Sequence, residues 1–171
     1  MIREHAHYLL DTFEPMINSI LNHPTNISEE HEEALASEVA ALRELKDETI
    51  PLVLLKTYST IEAITYNLAQ RLTDERPDNN RKKMQFSYNI FKDKGIFIDT
   101  ITESKIKEFL RLLVNCYKHN DSNVDSQELA DLLPCDIGDD IKWGGIKVFD
   151  VIASCEIYVN DLTDKVFLAA G

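Results

Sequence analysis

The stretch Ser104–Asp121, SKIKEFLRLLVNCYKHND, leaves few options for what surrounds it. At about 100° per residue, Ile106, Phe109, Leu110, Leu113 and Tyr117 fall on one stripe, the spacing of a helix that faces a core. Arg111, Asn115 and His119, spaced i, i+4 and i+8, form a second line on roughly the opposite face. Asn120-Asp121-Ser122-Asn123 tolerates a left-handed backbone and favours a turn, so the helix stops there. His119 therefore sits at a helix C-terminus, where the dipole favours the protonated imidazole.

The residues Leu110 to Asp121 of this helix resemble the signature helix of the HEPN superfamily. That superfamily comprises small helical bundles of toxin–antitoxin, abortive-infection and other phage-defence systems. Its motif is an arginine, often followed by asparagine, then variable residues and a histidine. Asn115, His119 and the following Asn120-Asp121 match. The position directly before Asn115 is Val114, and the nearest arginine is Arg111, so the spacing is R-x7-H where the family has about four to six intervening residues.

The resemblance implies metal-independent RNA cleavage, in which a 2′-hydroxyl attacks the adjacent phosphate. His119 would serve as general base or acid, an arginine would stabilise the charge growing on phosphate, and Asn115 would position the phosphate or hold the histidine. It also implies a composite site across a two-fold homodimer formed through the signature-helix face, and a cognate antitoxin or other partner protein. Each residue has an ordinary reading as well. Arg111 has Glu108 at i−3 as a surface partner, and His119 can satisfy the last carbonyls of the helix.

The other helices follow from the same periodicity. With five Gly and five Pro in 171 residues, the composition favours helices, and the length suits one domain spanning 1–171. A first helix is expected over Ile2–Leu21. Within it His5 and His7 point about 200° apart, which makes them poor joint metal ligands and a solvated pair. Ser28 is the expected N-cap of a second helix. Pro51 marks a kink or a restart, after which Leu54, Tyr58, Ile61, Thr65, Leu68 and Leu72 stripe the most apolar helix, placed at the bundle centre.

Glu62 lies on that helix, between Tyr58 and Tyr66 at i±4. By the resemblance it orients Arg111 or His119; by chemistry alone it is a rim carboxylate paired with a tyrosine hydroxyl or water. A further helix is expected over Arg81–Lys94 with Gly95 as its stop, Thr102 as N-cap of the signature helix, and a last helix over Phe149–Val166. Ile141 to Val148 alternates around Gly144-Gly145, a short β-hairpin signal before that last helix. The expected architecture is an all-α, up-and-down bundle of five to six helices.

The formal charge of −12 excludes a general nucleic-acid coat. Its distribution is uneven: residues 71–118 hold 11 Lys/Arg against 7 Asp/Glu, a net of +4, and the remainder carries −16. Between Glu29 and Glu48 there are eight acids and two bases, a solvated face or a dock for a basic partner. Cys116, Cys135 and Cys155 lack metal-type spacing, and their odd number points to reduced thiols in a cytoplasm. There is no leader pattern and no apolar run near 18 residues, so no membrane partner is expected. Nor is there a phosphate loop, a H-E-x-x-H or a C-x-x-C, so neither a cofactor nor a metal is expected.

Three functions follow from these residues. The leading one is a HEPN-like toxin or phage-defence component, a candidate endoribonuclease acting through the His119 face of a dimer. The second is a catalytically inactive HEPN-like module for dimerisation or for binding a partner protein or RNA. In that case apolar positions Leu112 and Cys116 would carry association. The third is an acidic helical inhibitor of a basic protein.

Overall fold

Tertiary burial overrides the strongest local breaker in this chain. In the computed structural model, which describes residues 2–22, 29–77, 82–133 and 135–171, a single 42-residue helix, α3 (Glu29–Gln70), runs straight through Pro51. The expected restart there is absent. Proline inside a helix removes one N–H and costs roughly 3 kcal/mol, and it leaves the carbonyl of Asp47 without its i+4 donor. The surrounding turns offset that cost, because Ile50, Val53 and Leu54 are all buried.

Around α3 stand α1 (Ile2–Leu10), α2 (Phe13–Leu21), α4 (Lys83–Asp93), α5 (Ser104–His119), the single turn α6 (Gln127–Ala130) and α7 (Val148–Ala170). α3 touches α1, α2, α4, α5 and α7, the central position its stripe demands. Ile61 and Thr65 are fully buried, Leu54, Leu68 and Leu72 nearly so, and Tyr58 is half-buried. The described residues form an all-α bundle without strands. None of its helices is long and apolar enough to cross a membrane. The buried hydroxyls of Thr57, Thr65 and Ser87 each donate to the carbonyl four residues earlier, at 2.9, 2.7 and 2.8 Å, so the core holds them without orphaned donors.

Three local expectations are corrected. The first helix is broken at Asp11-Thr12 into α1 and α2. Pro15 cannot donate to the carbonyl of residue 11, and its ring crowds that group, so the chain restarts with Pro15 in the first turn of α2. The second concerns the hairpin at Ile141 to Val148, which does not form. Trp143–Gly145 is a 3-10 turn against α3, with Gly144 so close to the Asp47 carboxylate that a Cβ would sit 2.6 Å from it. The alternation reflects burial of Ile141 and Val148 on either side of that turn, and the only pairing among the described residues is a bridge between Asn123 and Asp140. Thirdly, His7 is not simply solvated. It stacks on Phe149 at 4.4 Å, with Nδ1 2.7 Å from an Asp11 oxygen. The side chain of His5 and the proposed cap Ser28 lie outside the described residues.

Candidate functional site

α5 begins without a side-chain cap. Its N-cap is Glu103, at φ +57°, and not Thr102. A left-handed glutamate is an uncommon start, and α7 secures it from outside. The Thr102 N–H donates to Asp161 Oδ2 at 2.7 Å, and Lys165 Nζ donates to the Thr100 carbonyl at 2.9 Å. Lys165 also lies 3.7 Å from Asp161. The backbone bond from Thr102 and the neighbouring Lys165 hold the Asp161 carboxyl below its ordinary value.

A folded-state pKa below the unfolded one means stability that is present above the usual carboxylate range and is lost as pH falls through the folded pKa. Asp161→Ala is therefore expected to lose about 1–2 kcal/mol at neutral pH. In urea titrations the difference from wild type should shrink below about pH 3.8, the ordinary value for this group. An equal loss at every pH would mean that the carboxylate does not hold the start of α5.

More of α5 is buried than its apolar stripe suggests. Lys107, Leu110, Leu112, Leu113, Val114 and Cys116 are buried, and Ile106 and Phe109 pack against the same core. At 100° per residue these cover an arc of roughly 220°. The open strip holds Arg111 and Asn115, both half-buried, and His119, which is exposed. The structure thus leaves the three candidate residues on one face. Leu112 and Cys116, by contrast, lie within the core at 8% and 0% exposure, so association through α5 cannot run through them.

Arg111 turns toward the N-terminus of its helix. Its Nε donates to both carboxylate oxygens of Glu108 at 3.0 and 2.9 Å, and Nη2 bonds the same group. The pair holds Arg111 above and Glu108 below their ordinary values. His119 is eight residues on, about 12 Å along the axis. Among the described residues it makes no hydrogen bond or ion pair, and the helix-capping reading of it is not observed: the Cys116 carbonyl accepts from the Asn120 and Ser122 N–H groups at 3.0 and 3.3 Å. Beyond it Asp121 and Ser122 take φ of +47° and +68°, the left-handed turn that the polar run favours. Trp143 fixes that turn, donating to Ser122 Oγ at 3.2 Å and meeting Tyr117 edge-on at 5.9 Å.

Glu62 is half-buried beside Tyr58, whose hydroxyl is pushed well above an ordinary phenol by burial and by this carboxylate. It faces Lys107 and not His119. The structure therefore groups Tyr58, Glu62, Lys107, Glu108 and Arg111 at the seam of α3 and α5, with Asn115 and His119 further along the strip.

Lys107 is the residue that sequence reasoning passed over. It is 8% exposed, with Nζ 4.3 Å above the centre of the Tyr88 ring. Burial brings its amine down to about 8, against the upward pull of Glu62 and Glu108. The signal was present: Lys107, Leu110 and Val114 share a side at i, i+3 and i+7.

Among the described residues no group of three or more His, Cys, Asp or Glu could hold a metal ion. The three cysteines are free, and burial raises Cys116 to about 11 and Cys155 to about 12, away from thiolate chemistry. Comparison of the chain with family models, with curated proteins and with solved structures finds no match in any of the three.

Proposed function

We propose that the protein is a HEPN-like helical module without nuclease activity of its own, which binds RNA through the open strip of α5. The observation that carries this reading is the state of the two residues where an arginine would be needed. Val114, in the motif position, is buried at 2% exposure, and Arg111 is engaged by Glu108. His119 has the chemistry for proton transfer, but the arginine that would neutralise a pentavalent phosphate, Arg111, lies two turns away and is bonded to Glu108. Lys118 and His119 are exposed at the end of the net-positive stretch 71–118, which draws phosphate without cleaving it. A role in a toxin–antitoxin or phage-defence system belongs to the same proposal.

The test is incubation of labelled total RNA and tRNA with wild type and His119→Ala in EDTA, alongside a gel-shift titration. The expected result is retarded RNA, no cleavage by either protein, and binding weakened severalfold in the variant. Cleavage leaving 2′,3′-cyclic phosphate ends, lost in His119→Ala, would replace this reading with a composite ribonuclease. The exposure of His119 on the open strip, with Asn115 half-buried beside it, leaves this face free for a second copy and favours that second reading. Absence of both cleavage and RNA retardation would remove RNA from the account altogether.

A further inference from the structure

Lys107 lines a cleft of about 510 Å³ between the end of α4, the 96–100 connection and the first turns of α5. Its amine makes no hydrogen bond and no ion pair among the described residues, and its one close partner is the face of Tyr88. A lysine more than nine-tenths buried ordinarily has a carboxylate or carbonyl on its Nζ. Here that place is taken by the cleft. Lys92 and Lys105 stand exposed on its rim, and Ile96 and Phe97 form an apolar wall.

We propose that this cleft binds a small aldehyde or 2-oxo acid bearing an anionic group, and that Lys107 Nζ condenses with its carbonyl to form an imine. The rim lysines suit the anion and the apolar wall suits loss of water. The lone pair of Nζ attacks the carbonyl carbon to give a carbinolamine. The hydroxyl then leaves as water, carrying the former carbonyl oxygen and taking up a proton, and C=N forms without any change of oxidation state. Asp99 lines the same cleft as a carboxylate available to carry protons, while Glu108 is held by Arg111. The charged groups acting on the amine are Glu62 from α3 and Glu108 and Arg111 from α5, with the Tyr88 ring of α4 against it. Lys92 from α4, Asp99 from the connection and Lys105 from α5 line the same cleft, and Tyr58 from α3 stands beside Glu62. Burial outweighs them, so about a tenth of the amine is neutral at pH 7, where an ordinary lysine has less than about a thousandth. The site is independent of the RNA reading, since it uses neither Asn115 nor His119.

The test is limited reductive trapping of the full-length protein with glyoxylate and cyanoborohydride at pH 7.0, followed by peptide mass mapping. Lys107 is expected to be modified at least about tenfold faster than the exposed lysines, with a rate that levels off above about pH 8. In Lys92→Gln/Lys105→Gln the glyoxylate rate at Lys107 should fall severalfold while the rate with uncharged propionaldehyde is unchanged. Modification of Lys107 no faster than that of exposed lysines, or only after denaturation, overturns the proposal. Equal sensitivity of both aldehydes to the rim substitutions overturns the anionic ligand. The wild-type map decides the matter even if Lys107→Arg, the adduct-free control, does not fold.

Discussion

Val114→Arg, the substitution that would restore the family arginine, is expected to unfold the protein and not to create a nuclease. Val114 is 2% exposed on the buried flank of α5, in line with Leu110 and Lys107. An arginine there adds several heavy atoms to a packed site, which costs about 1–3 kcal/mol. It also buries a second cation beside Lys107, which already draws on Glu62 and Glu108, and Glu108 is engaged by Arg111. A buried charge without its own partner costs about 3–5 kcal/mol. Against a total stability of about 5–15 kcal/mol, the sum removes much of the folded population at physiological temperature. A thermal melt followed by circular dichroism should drop by about 10 °C or more relative to wild type. The same preparation, assayed on labelled RNA, should show no cleavage. A variant that melted within about two degrees of wild type and gained His119-dependent cleavage would mean that position 114 faces outward in solution. The account of α5 would then be wrong at its centre.

The burial of Val114 bears on how much of this protein was readable from sequence. α5 was legible at its C-terminal end, because the left-handed turn at Asp121-Ser122 is written in residues that tolerate it, and not at its start, where a left-handed Glu103 held from α7 replaces the expected cap Thr102. The stripe of α3 from Leu54 to Leu72 was legible for the same reason: one apolar residue per turn leaves no other face for a core. What escaped was set by neighbours. Nothing local announces that Pro51 will be carried within a helix, since the compensation comes from packing on five other helices. The Ile141–Val148 alternation had the right period for a strand, but its first glycine is needed for the close approach of Gly144 to Asp47. Of the four candidate site residues, Arg111, Asn115 and His119 share the open strip, and Arg111 pairs with Glu108 as an i−3 neighbour should. Glu62 stands apart from them on α3, near Tyr58 and Lys107. Lys107 was missed because a lysine on the apolar side of a helix is ordinarily assumed to reach out to solvent along its stem. Here Tyr88 receives its amine.

Phe91→Ala tests the packing and the chemistry of the cleft together. Phe91 is fully buried near the end of α4, and its carbonyl accepts from both Lys94 and Ile96, at 3.1 and 2.8 Å. The buried ring holds the end of α4 to the core, and the backbone carbonyl shapes the turn through Gly95, at φ +75°, that leads into the cleft wall. Removing it leaves a cavity that α3 and α4 cannot close without moving, at an expected cost of about 3–5 kcal/mol in urea unfolding. Tyr88 lies one turn before Phe91 and Lys92 directly after it, so loosening α4 lets water reach the Lys107 amine. Its pKa should then climb from about 8 toward the ordinary 10.5, and its modification by glyoxylate at pH 7 should slow severalfold. Phe97→Ala is the comparison. That ring is 53% exposed on the same wall, so its loss is expected to cost less than about 1 kcal/mol while leaving α4 docked. If Phe91→Ala destabilises as expected but Lys107 reacts at the wild-type rate, the amine owes its state to α3 and α5 alone. If it destabilises by less than about 1 kcal/mol, α4 is not held by this ring, and the wall of the cleft must be rebuilt from other contacts.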